Sequence, residues 1–162
     1  MRSDVVEELF KEHYNSAILY TLSLCKNPAV AEDVVSDAFY KALMTADDKI
    51  VNFRAWLLTV CRNGYYDLLR KKKRLVSLSD TVSDGKESLL DSVIKDEGYK
   101  ALYNAIYLLP ENYREIIVLF YFERQKLPDI AKIVGKSENN VKVTLLRAME
   151  KLKTILENSH EF

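Results

Sequence analysis

The chain has 162 residues, of which 48% are hydrophobic, and its 24 Lys/Arg are balanced by 24 Asp/Glu. That length fits one ordinary domain or two small ones, and the apolar content excludes a disordered chain. Four Gly and three Pro in the whole chain imply few turns and long elements, so the composition favours an all-helical protein. Cys25 and Cys61 fall inside expected helices without metal-ligand or redox spacing, as in proteins of a reducing compartment. His13 and His160 are isolated from each other in sequence, which argues against a His-based metal or catalytic site. The N-terminus (M-R-S-D-V-V-E-E) lacks an apolar signal core, and no apolar run approaches membrane-spanning length.

The first expected helix spans roughly residues 4–24, with Asp4 and Glu7 as a capping box. Asn27-Pro28 reads as an N-cap followed by proline at the first helical position, opening a second helix to about Met44. Its outward side carries Asp33, Ser36, Asp37 and Tyr40, while Ala31, Val34, Val35, Ala38, Phe39 and Ala42 point inward. Residues 47–51 read as a loop, and Asn52 caps a long basic helix over residues 53–74. That helix holds seven Lys/Arg against a single acid, Asp67. Phe53, Leu57, Val60, Cys61, Gly64 and Leu68 share one face, and Thr59, Arg62, Asn63, Tyr66 and Arg70 the other.

Residues 75–98 are rich in Ser, Asp and Gly without sustained periodicity, and read as a flexible linker. The fold expected is therefore two small helical domains, residues 1–74 and 99–162, joined by that linker. In the second, Leu102, Ile106 and Leu109 form one stripe, and Pro110-Glu111 opens a helix burying Ile116, Ile117, Leu119 and Phe120. A short helix over residues 127–134, a turn at Gly135-Lys136 and a long helix from Ser137 to about Leu156 have helix-turn-helix form. Gly135 supplies the positive φ of the turn and Ser137 the cap. Val141, Leu145, Ala148, Leu152 and Ile155 give the last helix its core stripe.

Charge is segregated along this plan. Residues 1–52 are net −4, residues 53–74 net +6 and residues 75–98 net −4. A concentrated basic helix beside an acidic one fits a protein that touches nucleic acid with one surface and a basic partner with another. Cations bind phosphate, amides read base edges and an exposed ring stacks on an unpaired base. Outward on the last helix, Asn139, Asn140, Val143 and Arg147, flanked by Lys142, Thr144 and Lys151, suit a major groove. Each feature alone also fits a plainer reading: a solvated helix face, or a helical hairpin in a bundle. Asp33 and Asp37, one turn apart, suit a divalent ion as well, but no third ligand is evident nearby.

Four segments in series resemble the extracytoplasmic-function group of bacterial sigma factors, in the sigma-70 family. A-E-D-V-V-S-D-A-F at residues 31–39 is similar to the family's A-E-D-L-V-Q-E-T-F. F-R-A-W-L-L-T-V-C-R-N-G-Y-Y-D-L-L-R-K-K-K-R at residues 53–74 resembles F-R-A-W-L-x-x-I-A-R-N-x-x-x-D-x-x-R-R-x-x-R. L-P-E-N-Y-R-E-I-I-V-L-F-Y-F-E at residues 109–123 resembles L-P-x-x-x-R-E-V-x-L-L-R-Y-x-E. Residues 127–156 resemble the closing I-A-x-x-L-G-x-S-E-x-T-V-K-S-R-L-x-R-A.

The resemblance implies roles. Asp33, Val35, Ser36, Asp37 and Phe39 fall in the motif that docks on core RNA polymerase. Arg62, Asn63, Tyr66, Arg70, Lys71 and Arg74 fall where the family meets the −10 promoter element. The loop of residues 47–51, bringing Asp48 and Lys49 with the adjoining Asn52, corresponds to one that pockets a flipped-out base. Ser137, Asn139, Asn140, Lys142, Val143, Thr144 and Arg147 fall where the family reads the −35 element. Ser36 stands where Gln is usual, and Val143, Thr144 and Leu146 replace Ser, Arg and a polar residue, lowering the cation count of the reading helix. The implied protein is a cytoplasmic, non-enzymatic transcription initiation factor of the stress-response type. It needs no cofactor, small-molecule substrate or membrane insertion. Its implied partners are core polymerase, promoter DNA and an anti-sigma factor able to hold it at the membrane. A stand-alone helix-turn-helix regulator of duplex DNA is the alternative.

Overall fold

The computed structural model describes residues 2–45, 50–74 and 86–159. All its regular structure is helical: α1 (Ser3–Cys25), α2 (Pro28–Met44), α3 (Phe53–Arg74), α4 (Lys86–Val93), α5 (Glu97–Ile106), α6 (Glu111–Ile117), α7 (Leu127–Val134) and α8 (Glu138–Ser159), with a π-helical turn at Val118–Phe122 after α6. Among the described residues there is no strand, and no helix is long and apolar enough to cross a membrane. The chain divides into two compact units, Met1–Leu89 and Leu90–Phe162.

In the first unit α1, α2 and α3 pack on one another. The expected inner face of α2 is observed: Ala31, Val34, Val35, Ala38, Phe39 and Ala42 are buried, while Asp33, Ser36, Asp37 and Tyr40 are exposed. Asn27 caps α2 by accepting from the Val30 amide at 3.2 Å, and Asn52 caps α3 by accepting from the Ala55 amide at 3.2 Å. The Asp4–Glu7 capping box does not form. Arg2 is the N-cap of α1, with no side-chain cap, and Asp4 lies one turn in, paired with the Arg2 guanidinium at 2.9 Å. Aromatic rings tie the three helices at one end, with Phe39 lying 4.9 Å from Phe10 and 6.0 Å from Phe53 between ring centres.

His13 borders this cluster, its ring 5.5 Å from Phe53. Burial, helped by Arg54, holds its imidazole below the usual range, and Glu12 pulls weakly the other way. The folded state therefore favours neutral His13. Its contribution to stability is complete above the unfolded value of about 6.5 and is lost as pH falls below it. Melting temperature should drop more between pH 7.5 and 5.5 for the native chain than for His13→Gln, whereas parallel profiles would contradict this.

Gly64 sits inside α3 where the helix crosses α2; an added Cβ would meet Val34 Cγ1 at 3.7 Å, an ordinary contact. Gly64→Ala should raise stability by about 0.5–1 kcal/mol by restricting the unfolded chain, as read in denaturant melts.

The second unit begins within the stretch expected to be a tether. Residues 75–85 lie outside the described part, but residues 86–93 are helical, and Leu90 and Ile94 are buried. The apolar spacing Leu89, Leu90, Val93, Ile94 makes one helical stripe that the Ser/Asp/Gly content upstream obscured. Lys100 on α5 holds Asp91 of α4 at 2.6 Å. Asp96 caps α5 by accepting from the Tyr99 amide at 3.0 Å. α6, α7 and α5 pack on α8. Arg114 is buried and donates to the Leu109 carbonyl at 2.9 Å, fastening α6 to the turn before it. Beyond α6 the Glu123 amide donates to the Val118 carbonyl five residues back, so the expected single helix widens into a π turn.

Candidate nucleic-acid interface

α3 presents the expected outward residues together. Arg62, Asn63, Tyr66 and Arg70 line one recess of about 580 Å³, joined by Asp67, Leu69 and Lys73. Their i, i+1, i+4, i+8 spacing brings them to one side of the helix. Asn63 and Arg70 are exposed, while Arg62 and Tyr66 are half-buried because the Arg62 guanidinium lies over the Tyr66 ring, 4.8 Å from its centre. Thr59, expected on the same stripe, turns its hydroxyl back to the Ala55 carbonyl at 2.9 Å. The recess offers cations for phosphate, an amide for a base edge and an aromatic face for stacking.

Two residues expected with this stripe stand elsewhere. Lys71 lines the adjoining groove between α2 and α3, with Asp33, Asp37, Lys41 and Gly64, because it is rotated about 100° from Arg70. Asn52 has its side-chain oxygen engaged as the α3 cap. Lys73, absent from the expected set, takes a place in the recess. Asp48 and Lys49 lie outside the described residues; Arg74 ends α3, and its side chain is likewise outside them.

The α2 face divides by burial. Asp33, Ser36 and Asp37 are exposed, and Asp37 meets Lys41 at 3.4 Å. Val35 and Phe39 are buried in the three-helix core, so they support this face from within and do not touch a partner. Tyr40, Leu43 and Met44 continue the face with exposed apolar groups at the end of α2. Among the described residues no group of three or more His, Cys, Asp or Glu is arranged to hold a metal ion.

In the second unit the turn is as the sequence predicts. Gly135 adopts φ 69°, and its amide and that of Lys136 both donate to the Ala131 carbonyl, at 2.9 and 3.1 Å. Ser137 Oγ accepts from the Asn140 amide at 3.1 Å, capping α8. Ser137, Asn139, Asn140, Lys142, Val143 and Arg147 are exposed together at the N-terminal end of α8, over a buried stripe of Val141, Leu145, Ala148 and Leu152. Thr144 is half-buried and donates its hydroxyl to Asn140 Oδ1 at 3.5 Å, occupying the acceptor that would read an adenine amino group. An apolar groove lies on the other side of this unit, lined by Leu102, Ile106, Ile117, Tyr121, Met149 and Leu152 among others.

Two family models match the chain: Sigma-70 region 2 over residues 9–75, and Sigma-70, region 4, over residues 99–152. Among curated relatives, the ECF RNA polymerase sigma factor SigM of Bacillus subtilis is 28% identical over 93% of this chain and 94% of its own length. SigW of the same organism, another ECF RNA polymerase sigma factor, is 30% identical over 79% of this chain and 76% of its own. The fold is similar to that of the sigma factor RpoE in its complex with the anti-sigma factor NepR from Bartonella quintana. There the TM-score is 0.67 at 24% identity, covering 93% of this chain and 98% of that one. CnrH, solved with the cytosolic domain of CnrY, gives the same TM-score of 0.67 over 97% of this chain and 90% of its own. The order of elements, the outward recess of α3 and the helix-turn-helix of α7 and α8 agree with these matches: the chain belongs to the sigma-70 family, in its extracytoplasmic-function group.

Proposed function

We propose that this chain is a dissociable subunit that gives core RNA polymerase its choice of promoter. Residues 1–74 form the module that docks on the polymerase and takes the −10 element, residues 99–162 the module that reads the −35 element, and residues 75–98 connect them. Asp33, Ser36 and Asp37 meet a basic surface of the polymerase. Arg62, Asn63, Tyr66 and Arg70, with Lys73, hold one promoter strand after the duplex opens. Ser137, Asn139, Asn140, Lys142, Val143 and Arg147 face the upstream duplex, with Thr144 setting the orientation of Asn140. The observation that carries this reading is the recess on α3, which combines phosphate-binding cations with an amide and a ring on the same unit as an acidic face.

The mechanism is binding without chemistry. Stacking on an aromatic side chain contributes about 1–3 kcal/mol per base, and expelling a base from the duplex costs a few kcal/mol. Capture of an exposed base therefore holds open a duplex that would otherwise reclose. Two tethered modules engaged at once raise the effective concentration of each. The chain works in the cytoplasm, and an anti-sigma factor covers its working faces when initiation is not required. The solved complexes of RpoE with NepR and of CnrH with CnrY support that partner class. A stand-alone regulator of duplex DNA leaves both the acidic face and the strand recess without a role.

Run-off transcription with core polymerase on a genomic fragment library tests the reading and returns the promoter sequence. New start sites should appear only with the chain present, and none on any template would refute it. Tyr66→Ala should weaken open-complex formation by about 1–3 kcal/mol, read as lost permanganate reactivity, with upstream duplex contacts retained.

A further inference from the structure

Asp67 is the only acid on α3, which carries seven Lys/Arg. It stands in the outward recess, beside Arg62, Arg70 and Lys73. A negative charge there opposes strand binding, because a nucleic acid brings phosphates to the same place. The Asp67 carboxylate is ion-paired with the Arg70 guanidinium one turn along, and both side chains are exposed. Asp67 also lines the neighbouring groove, with Asp33, Asp37, Lys41 and Lys71. Among the described residues it alone borders both depressions.

We propose that Asp67 is a built-in brake on strand capture: in the free chain it competes with phosphate for Arg70, and a cationic group seated against Asp33 and Asp37 draws it away. The guanidinium fork suits a carboxylate and a phosphate equally well, so one can replace the other at the same nitrogens. An exposed pair is weak enough to exchange partners without disturbing the helix. The shared border of the two depressions gives docking a direct route to the strand recess, through one carboxylate. This brake rests on the reading of α3 as the strand-capturing helix.

The test is fluorescence anisotropy of a labelled single-stranded DNA dodecamer titrated with the full chain at low salt. Asp67→Asn should tighten binding about threefold, the size set by an exposed pair. It should also steepen the log–log salt dependence by about 0.7, the value of one further phosphate contact on a single strand. Adding Asp67→Asn to Arg70→Ala should change nothing. Unaltered or weaker binding by Asp67→Asn, or equal tightening without Arg70, would overturn the brake. Asp67→Ala must behave like Asp67→Asn, with circular dichroism checking that α3 is intact. With core polymerase bound, the difference between native chain and Asp67→Asn should vanish, and a persisting difference would overturn the release step. Failure of the native chain to bind core polymerase would count against the proposed function instead, and the free-chain comparison would still decide whether the brake exists.

Discussion

Asp37→Arg should remove the chain from core RNA polymerase. Asp37 is exposed on α2, and the only contact its side chain needs for folding is the surface pair with Lys41. The substituted cation would stand beside Lys41 and face a basic partner. Like charges brought together across an interface cost several kcal/mol. A loss of about 3 kcal/mol is roughly a hundredfold or more in affinity. Native gel shift with core enzyme should show no complex, and transcription should cease. Single-stranded DNA binding by the free variant should persist, because the recess on α3 is built from other residues. Retained core affinity would place the docking face elsewhere.

The second large effect is expected inside the C-terminal unit. Arg114 is almost fully buried, donates to the Leu109 carbonyl at 2.9 Å and lies 6.0 Å from the Tyr107 ring centre. Arg114→Ala removes a charge-assisted hydrogen bond and leaves that carbonyl without its guanidinium. Losses of about 1.5–3 kcal/mol follow from the bond alone. For a unit of this size the melting temperature should fall on the order of 10 °C. Arg114→Lys should recover little, because an ammonium cannot reproduce the reach of the planar fork. Upstream duplex binding should fall with the unit's stability, while strand binding by the first unit should survive. An unchanged melting transition would show that the arginine of the L-P-E-N-Y-R-E segment is not structural.

The outward recess and the reading helix were legible because helical periodicity sorts side chains before any packing is known. The same periodicity gave the buried face of α2, and cap chemistry gave Asn27, Asn52 and Ser137. What escaped has physical causes. Val35 and Phe39 belong to a recognisable motif, but motif membership does not separate a residue that touches a partner from one that supports it. Lys71 and Lys73 stand in one run of cations, and only the 3.6-residue turn assigns one to each depression. α4 was hidden because its few apolar residues follow a polar stretch. Arg114, Glu115 and Glu123 read as surface charges yet are buried, since burial of a charge depends on partners distant from any local pattern. The role of Asp4 went to Arg2 because competing starts one or two residues apart differ little in energy.

The widened turn at Val118–Phe122 has a consequence for how such chains can vary in length. Its five-residue hydrogen bond accommodates one more residue than an α-helix would. Deleting any single residue there would let α6 continue in regular α-helical register. Each residue removed turns everything downstream by about 100° around the helix axis. The seven-turn rod that follows would then be aimed at empty solvent while every one of its own side chains remained intact. A one-codon deletion far from any base contact is therefore expected to blind the upstream half of the molecule, where a point substitution at the same place would only soften it.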